Sequence, residues 1–315
     1  MTEATLSLRE LIDQYLEMRR GLGYRLNVQG ALLYSFARFA SAAHHTGPIT
    51  IALALDWAES SASRDAAAQR LSVLRQFARH RAPFDPSTEI PPVDLIPSAY
   101  QRKPPHIYSD SEIQKLLHAA AALRPKGGLR PHTYVAFFSL LAATGLRNSE
   151  ARSLEIRDVD FENAMLIIRE SKSLKSRFVP LHPTTATALA KYAQLRDNYV
   201  NAPRGESFFR TDREVSLTKT AVEKTFVLLR RRLGWTTQGR ARLPRVHDLR
   251  HTFAVRRCLR WHEEGVDVDK KMLSLATYLG HVNISDTYWY LSAVPELMAV
   301  TLNRFEAFAK AGREF

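Results

Sequence analysis

The sequence predicts a mainly α protein of two domains. The N-terminal domain reads as purely helical; the C-terminal domain reads as mixed α/β, mostly helical with a small antiparallel sheet. Three observations carry this. Apolar residues recur at helical spacing through most of the 315 residues, and strand-like alternation is confined to one short region. A proline-rich stretch interrupts the chain near residue 100. The charge also divides there: the first 104 residues carry a net +2 and the remainder +11.

In chain order, Ser7 with Glu10 forms a capping-box pattern ahead of Leu8, Leu11, Ile12 and Tyr15. Gly21 and Gly23 stop that helix. Leu32, Leu33, Phe36 and Phe39 mark a second helix, Ile51 to Glu59 a third, and Leu71, Leu74, Phe77 and Ala78 a fourth. These form a helical domain over residues 1–90. Prolines then recur at 83, 86, 91, 92, 97, 104 and 105, so residues 91–105 read as a semi-rigid linker containing Arg102 and Lys103. The second domain, 106–315, opens with an N-cap cluster at Ser109–Glu112, before Ile113, Leu116 and Leu117. An apolar segment, Tyr134 to Leu141, leads to Thr144-Gly145. Met165–Arg169 and Arg177–Leu181 read as paired strands around a polar turn with two lysines. The remainder is helical. Pro295 and Glu296 suit a final helix start, and Met298, Leu302, Phe305 and Ala309 make one apolar stripe on it.

A net charge of +13 points to a polyanionic partner, with nucleic acid ahead of a membrane surface. The lone cysteine, Cys258, excludes an internal disulfide and reads as a small buried hydrophobe. The first nine residues lack an apolar core, so no signal peptide is expected. No apolar run reaches the ~20 residues of a membrane helix. The expected location is the cytoplasm.

Four segments carry the chemistry: Ala143-Thr144-Gly145-Leu146-Arg147-Asn148-Ser149-Glu150; Ser171-Lys172-Ser173-Leu174-Lys175-Ser176-Arg177; His247-Asp248-Leu249-Arg250-His251; and Tyr278-Leu279-Gly280-His281 followed by Tyr290. Arginines, histidines, a lysine and a tyrosine, without a carboxylate cluster, suit phosphoryl transfer without metal. Paired guanidiniums can bind both free oxygens of a phosphodiester. A tyrosine hydroxyl can attack phosphorus, and a lysine or histidine can protonate the departing oxygen.

Together, in this order, the segments resemble the tyrosine recombinase (phage integrase) family. The resemblance covers residues 106–292 and makes residues 1–90 the place of a DNA-binding, core-binding domain. It implies that Arg147 and Arg250 clamp the scissile phosphate and that Tyr290 attacks it. Lys172 then acts as the general acid, while His247 and His281 hold the phosphate. Glu150 and His251 would support this site. It also implies site-specific cutting and rejoining of duplex DNA through a 3′-phosphotyrosyl link and a four-way junction. The enzyme would be a dimer on one site and a tetramer on two, with accessory or sister recombinases as candidate partners. No cofactor or metal is expected. A mobile element is favoured over a chromosomal system by the long Arg250–His281 interval.

Alternatives stay open. Tyr288 competes with Tyr290, whose spacing from His281 is the better match. Lys175 competes with Lys172. His247 and His251 have the i, i+4 spacing of a zinc peptidase motif, but Asp248 stands where that motif has Glu, and Arg250 would crowd the cation. Arg102, Lys103, Lys175, Arg177, Arg230, Arg240, Arg242 and Arg245 are expected to grip DNA phosphates. The rival function is a DNA-binding protein of the same fold that does not cut.

Overall fold

The computed structural model describes residues 6–97, 104–169, 176–199, 205–212, 215–237, 242–281 and 283–288. The chain divides into two compact units, Met1–Arg102 and Lys103–Phe315.

The first unit packs four helices: α1 (Leu8–Gly21), α2 (Asn27–Ala42), α3 (Ile51–Glu59) and α4 (Arg64–Arg81). Their starts are fixed locally. Ser7 caps α1 with a complete capping box to Glu10, Thr50 caps α3 and Ser63 caps α4. Gly23 takes φ 88 just past α1, a conformation that costs glycine nothing. Ile12, Leu16, Leu33, Phe36, Trp57, Leu74 and Phe77 form the core. Each such side chain contributes about 1.5–3 kcal/mol by leaving water.

The proline-rich stretch departs from the linker expected over 91–105. Arg75, buried in α4, donates Nε to the Pro91 carbonyl at 2.6 Å and Nη2 to the Pro92 carbonyl at 2.6 Å. Leu95 and Ile96 pack on the helical core. Residues 91–97 therefore belong to the first unit. Proline removes a donor but keeps its carbonyl, which is why a prolyl run makes a good acceptor for a buried guanidinium. Pro105 is already buried in the second unit.

The second unit is built around α6 (Leu129–Thr144), ten of whose 16 residues are buried, packed against α5 (Asp110–Ala121), α8 (Pro183–Tyr199) and α10 (Asp248–Glu263). Ser109 and Glu112 complete the capping box of α5. The sheet has three strands in the order β1 (Val159–Asp160), β2 (Met165–Ile168), β3 (Arg177–Pro180). Both pairings are antiparallel, with Leu166 opposite Val179 and Ile168 opposite Arg177. The remaining helices are α7 (Asn148–Arg152), α9 (Lys219–Arg232) and α11 (Val268–Leu279). The long interval after Arg250 is thus helical: α10 runs on to Glu263, Gly265 turns the chain at φ 69, and Asp267 caps α11. Cys258 is a core residue, as expected, and Phe208 and Phe209 are core residues as well. Burial pushes the Cys258 thiol up to about 11, so it stays protonated and unreactive.

Candidate active site

The site lies within the second unit, where α6, α7, α10, α11 and β3 converge. Helix α6 ends at Gly145, whose φ of 63 is left-handed and whose N–H returns to the Leu141 carbonyl. A Cβ there would approach Phe253 Cδ1 to 2.6 Å, so a bare backbone is needed for fit as well as for the turn. The turn delivers Arg147 to the start of α7. Glu150 closes that first turn by accepting from the Arg147 backbone N–H at 2.9 Å and from its Nη1 at 2.8 Å. Arg250 lies buried in the first turn of α10, donating Nη1 to the Gly145 carbonyl and Nη2 to the Leu279 carbonyl, each at 2.8 Å.

The end of α11 organises these arginines. A helix leaves its last carbonyls without intrahelical donors and with partial negative charge. Here the Tyr278 carbonyl accepts Arg177 Nε at 2.8 Å. The Leu279 carbonyl accepts from both Arg147, at 3.3 Å, and Arg250, and the Gly280 carbonyl accepts Arg147 Nη2 at 2.7 Å. The two expected phosphate-clamping arginines therefore share one acceptor. Gly280, at φ 69, turns the chain out of α11 and presents His281 beside them.

Electrostatically, two guanidiniums, Arg147 and Arg177, pair with one carboxylate, Glu150. Burial by itself raises the Glu150 pKa, but the hydrogen bonds and charge of Arg177, then the bonds from Arg147, outweigh it and hold the carboxyl below its ordinary value. His281 is pushed down to about 3 by burial first, then by the charges of Arg250, Arg147, His247 and Arg177. Its ring is neutral at pH 7, and its Nδ1 lies 2.6 Å from Thr287 Oγ1. His247 stands exposed at the start of α10, its ring 4.7 Å from that of buried His251 in an edge-to-face contact. No cluster that could hold a metal ion occurs among the described residues, and the zinc alternative for His247 and His251 gains no third ligand there.

The structure thus brings Arg147, Glu150, His247, Arg250, His251 and His281 together. Lys172, Lys175, Arg102, Lys103, Arg240, Tyr290 and the tail stripe lie outside the described residues. Tyr288 is described: it lies in the helical turn at 285–288.

One expectation is corrected. Arg177 was read as a phosphate contact, but its side chain is 11% exposed, pairs with Glu150 at 3.0 Å and holds the Tyr278 carbonyl. Charge pattern in a turn says that a cation is present, not that its fork will find a buried carboxylate 27 residues away. Arg230 donates to the Pro244 carbonyl, and Arg245 holds buried Asp248 while staying 41% exposed. Thr287, fully buried against His281, was not singled out in the sequence. No spacing rule marks a threonine six residues past a histidine.

The residues at this site and their order decide the family. Residues 108–296 match the phage integrase family model, a span that contains Arg147, Lys172, Arg250 and Tyr290. The chain belongs to the phage integrase family. As a tyrosine recombinase it is a DNA strand transferase. It is 40% identical over 306 residues to the integrase/recombinase y4rB of Sinorhizobium fredii, covering 95% of this chain and 97% of that protein. It is 28% identical to the tyrosine recombinase XerA of Thermococcus onnurineus over 72% of this chain and 70% of that one. Among solved structures, the Tn1549 transposon integrase in complex with transposon right end DNA shares the fold at TM-score 0.67 and 17% identity, over 96% of this chain and all of that one. The XerH site-specific recombinase bound to a palindromic difH substrate does so at 0.65 and 18%, over 95% and 85%. No described helix of this tyrosine recombinase is long and apolar enough to cross a membrane.

Proposed function

We propose that this tyrosine recombinase is a site-specific recombinase of the integrase or transposon type, cutting and rejoining duplex DNA through a 3′-phosphotyrosyl intermediate. The observation that carries the reading is the convergence of Arg147 and Arg250 on the end of α11 next to a neutral His281. Two guanidiniums on one carboxylate leave positive charge for a phosphodiester and for the further negative charge that develops at phosphorus. Neutral His281, with Nδ1 turned to Thr287, is suited to donate from Nε2 to a phosphate oxygen without adding to the charge repulsion among the arginines.

In the proposed reaction the Tyr290 hydroxyl oxygen bonds to phosphorus as the bond to the 5′ oxygen breaks. The 5′ oxygen takes a proton from Lys172 and the phenolic proton passes to a neighbouring base. The reverse attack by a different strand's 5′-hydroxyl restores a phosphodiester and frees Tyr290, so no nucleotide hydrolysis is needed. Arg230, Arg242 and Arg245, with Arg102, Lys103, Lys175 and Arg240, are proposed backbone contacts. Residues 1–90 are proposed to form the second DNA-binding domain. Active assemblies are proposed to be dimers on one site and tetramers on two, as the tyrosine recombinase resemblance implies. The similarity to y4rB over nearly the whole of both chains and to the Tn1549 transposon integrase supports a mobile-element setting.

The test is a nicked suicide DNA carrying the candidate site. Wild-type protein is expected to form a covalent adduct, Tyr290→Phe to bind without forming one, and Tyr288→Phe to retain it. An adduct that survives Tyr290→Phe and vanishes with Tyr288→Phe would reassign the nucleophile. Binding without any adduct would favour the non-cutting alternative.

A further inference from the structure

Strand β3 and the end of α11 meet at one side chain. Arg177 opens β3, just after residues 170–175, where Lys172 and Lys175 lie. Its Nη1 donates to Glu150 Oε1 and its Nη2 to Oε2, both at 3.0 Å, a fork-to-fork pairing. Its Nε donates to the Tyr278 carbonyl at 2.8 Å. Gly280 is the bed for this guanidinium: a Cβ at that glycine would meet Arg177 Nη1 at 2.7 Å and Cζ at 2.9 Å. The glycine before His281 thus does two things, turning the chain at positive φ and admitting a flat cation against its backbone.

We propose that Arg177 is a positioning residue for strand transfer, setting the geometry of Arg147 and His281 without touching DNA. It holds both oxygens of the Glu150 carboxylate, and that carboxylate in turn holds the Arg147 backbone and guanidinium. It fixes the Tyr278 carbonyl at the end of α11, three residues before His281. Its own backbone opens β3. One planar group therefore ties three elements of the site. Three of its five N–H donors are spent inside the protein. Handing them to a DNA phosphate would strand a buried carboxylate, which is costly. The inference rests on the strand-transfer reading above.

The test compares wild type, Arg177→Ala and Arg177→Lys by gel shift and by single-turnover adduct formation at saturating protein on the nicked DNA. Arg177→Ala is expected to keep DNA affinity within about twofold and to leave its salt dependence unchanged. Its cleavage rate is expected to fall about 100-fold, the scale of a misplaced catalytic group. Guanidinium ion at millimolar levels is expected to restore at least about tenfold of the rate by refilling the space over Gly280 and bridging Glu150, whereas sodium chloride at equal ionic strength does not. Arg177→Lys is expected to stay slow, because a point charge cannot span both carboxylate oxygens. Wild-type cleavage by Arg177→Ala overturns the proposal. So does weakened binding with a salt slope lower by about one, the mark of a phosphate contact. Slow cleavage that guanidinium fails to restore assigns Arg177 a merely structural role and also overturns it. If Arg177→Ala does not fold, Arg177→Lys decides: a slow rate with unchanged affinity supports the proposal, and a wild-type rate overturns it. A wild-type protein that forms no adduct overturns the recombinase reading itself, and this inference with it.

Discussion

Lys172, the proposed general acid, and His281, the proposed neutral donor, each have their own measurement. Protonating the 5′ oxygen matters only when that oxygen is a poor leaving group. Lys172→Ala is therefore expected to slow cleavage of an ordinary phosphodiester by about 100-fold or more, and that of a 5′-bridging phosphorothiolate only slightly. Equal slowing on both substrates would move the acid role to Lys175 or a histidine. His281 predicts a pH effect on stability. Its folded pKa, about 3, lies below the ordinary histidine value of 6.5, so the unfolded chain takes up the proton first. Its contribution is fully present above pH 6.5 and is lost as pH falls toward 3, at no more than about 1.4 kcal/mol per pH unit. Glu150, also depressed, adds a loss in the same direction below its ordinary carboxylate value of 4.5. Denaturant melts of wild type and His281→Gln at pH 7, 6 and 5 would show the variant's stability changing less with pH. Parallel curves would mean that the buried imidazole is not the titrating group. The residue types at the site were legible because chemistry restricts them. Arg177 was not, since a sequence gives an arginine's charge and not the direction of its fork.

Among the elements, legibility tracked distance along the chain. The capping boxes at Ser7–Glu10 and Ser109–Glu112 and the bounds of Ile51–Glu59 were readable, because their causes lie within four residues. The paired strands expected over Met165–Arg169 and Arg177–Leu181 were readable, but β1 was not, since two residues are too short to leave a pattern. The packing of residues 91–97 was hidden because Arg75 lies 16 to 18 positions away from the carbonyls that it holds. The α6–α7 turn offers the sharpest test of an element. Gly145→Ala would force an L side chain into a left-handed conformation and drive its Cβ into Phe253. The combined strain and overpacking are expected to cost about 2–4 kcal/mol, read as a lowered urea midpoint with unchanged m-value. A loss below about 0.5 kcal/mol would mean that Phe253 moves aside freely.

For the molecule as a whole, the C-terminal tail carries the proposed assembly on two DNA sites. Met298, Leu302, Phe305 and Ala309 follow the proposed nucleophile in sequence, at the spacing expected of one apolar helical stripe, which would need burial. Deleting residues 294–315 is expected to leave single-site binding largely intact and to weaken assembly on two sites. Native gels with two differently labelled DNAs would register this, and two-site complexes forming at wild-type protein concentration would reduce the tail to local packing. The arginine-bound end of α11 has a consequence on the same scale. Before DNA arrives, Arg147 and Arg250 already have main-chain oxygens as partners, so a phosphate oxygen that takes one of those N–H groups competes with a carbonyl for it. Such an exchange rewards the stronger anion. A singly charged phosphodiester competes with the carbonyls on modest terms, whereas a phosphorus centre gathering further negative charge outcompetes them. In the proposed reaction, a clamp working by that exchange would add more to the passage through the pentacoordinate state than to the grip on resting DNA. It would act as a discriminator between two charge states of one phosphorus atom.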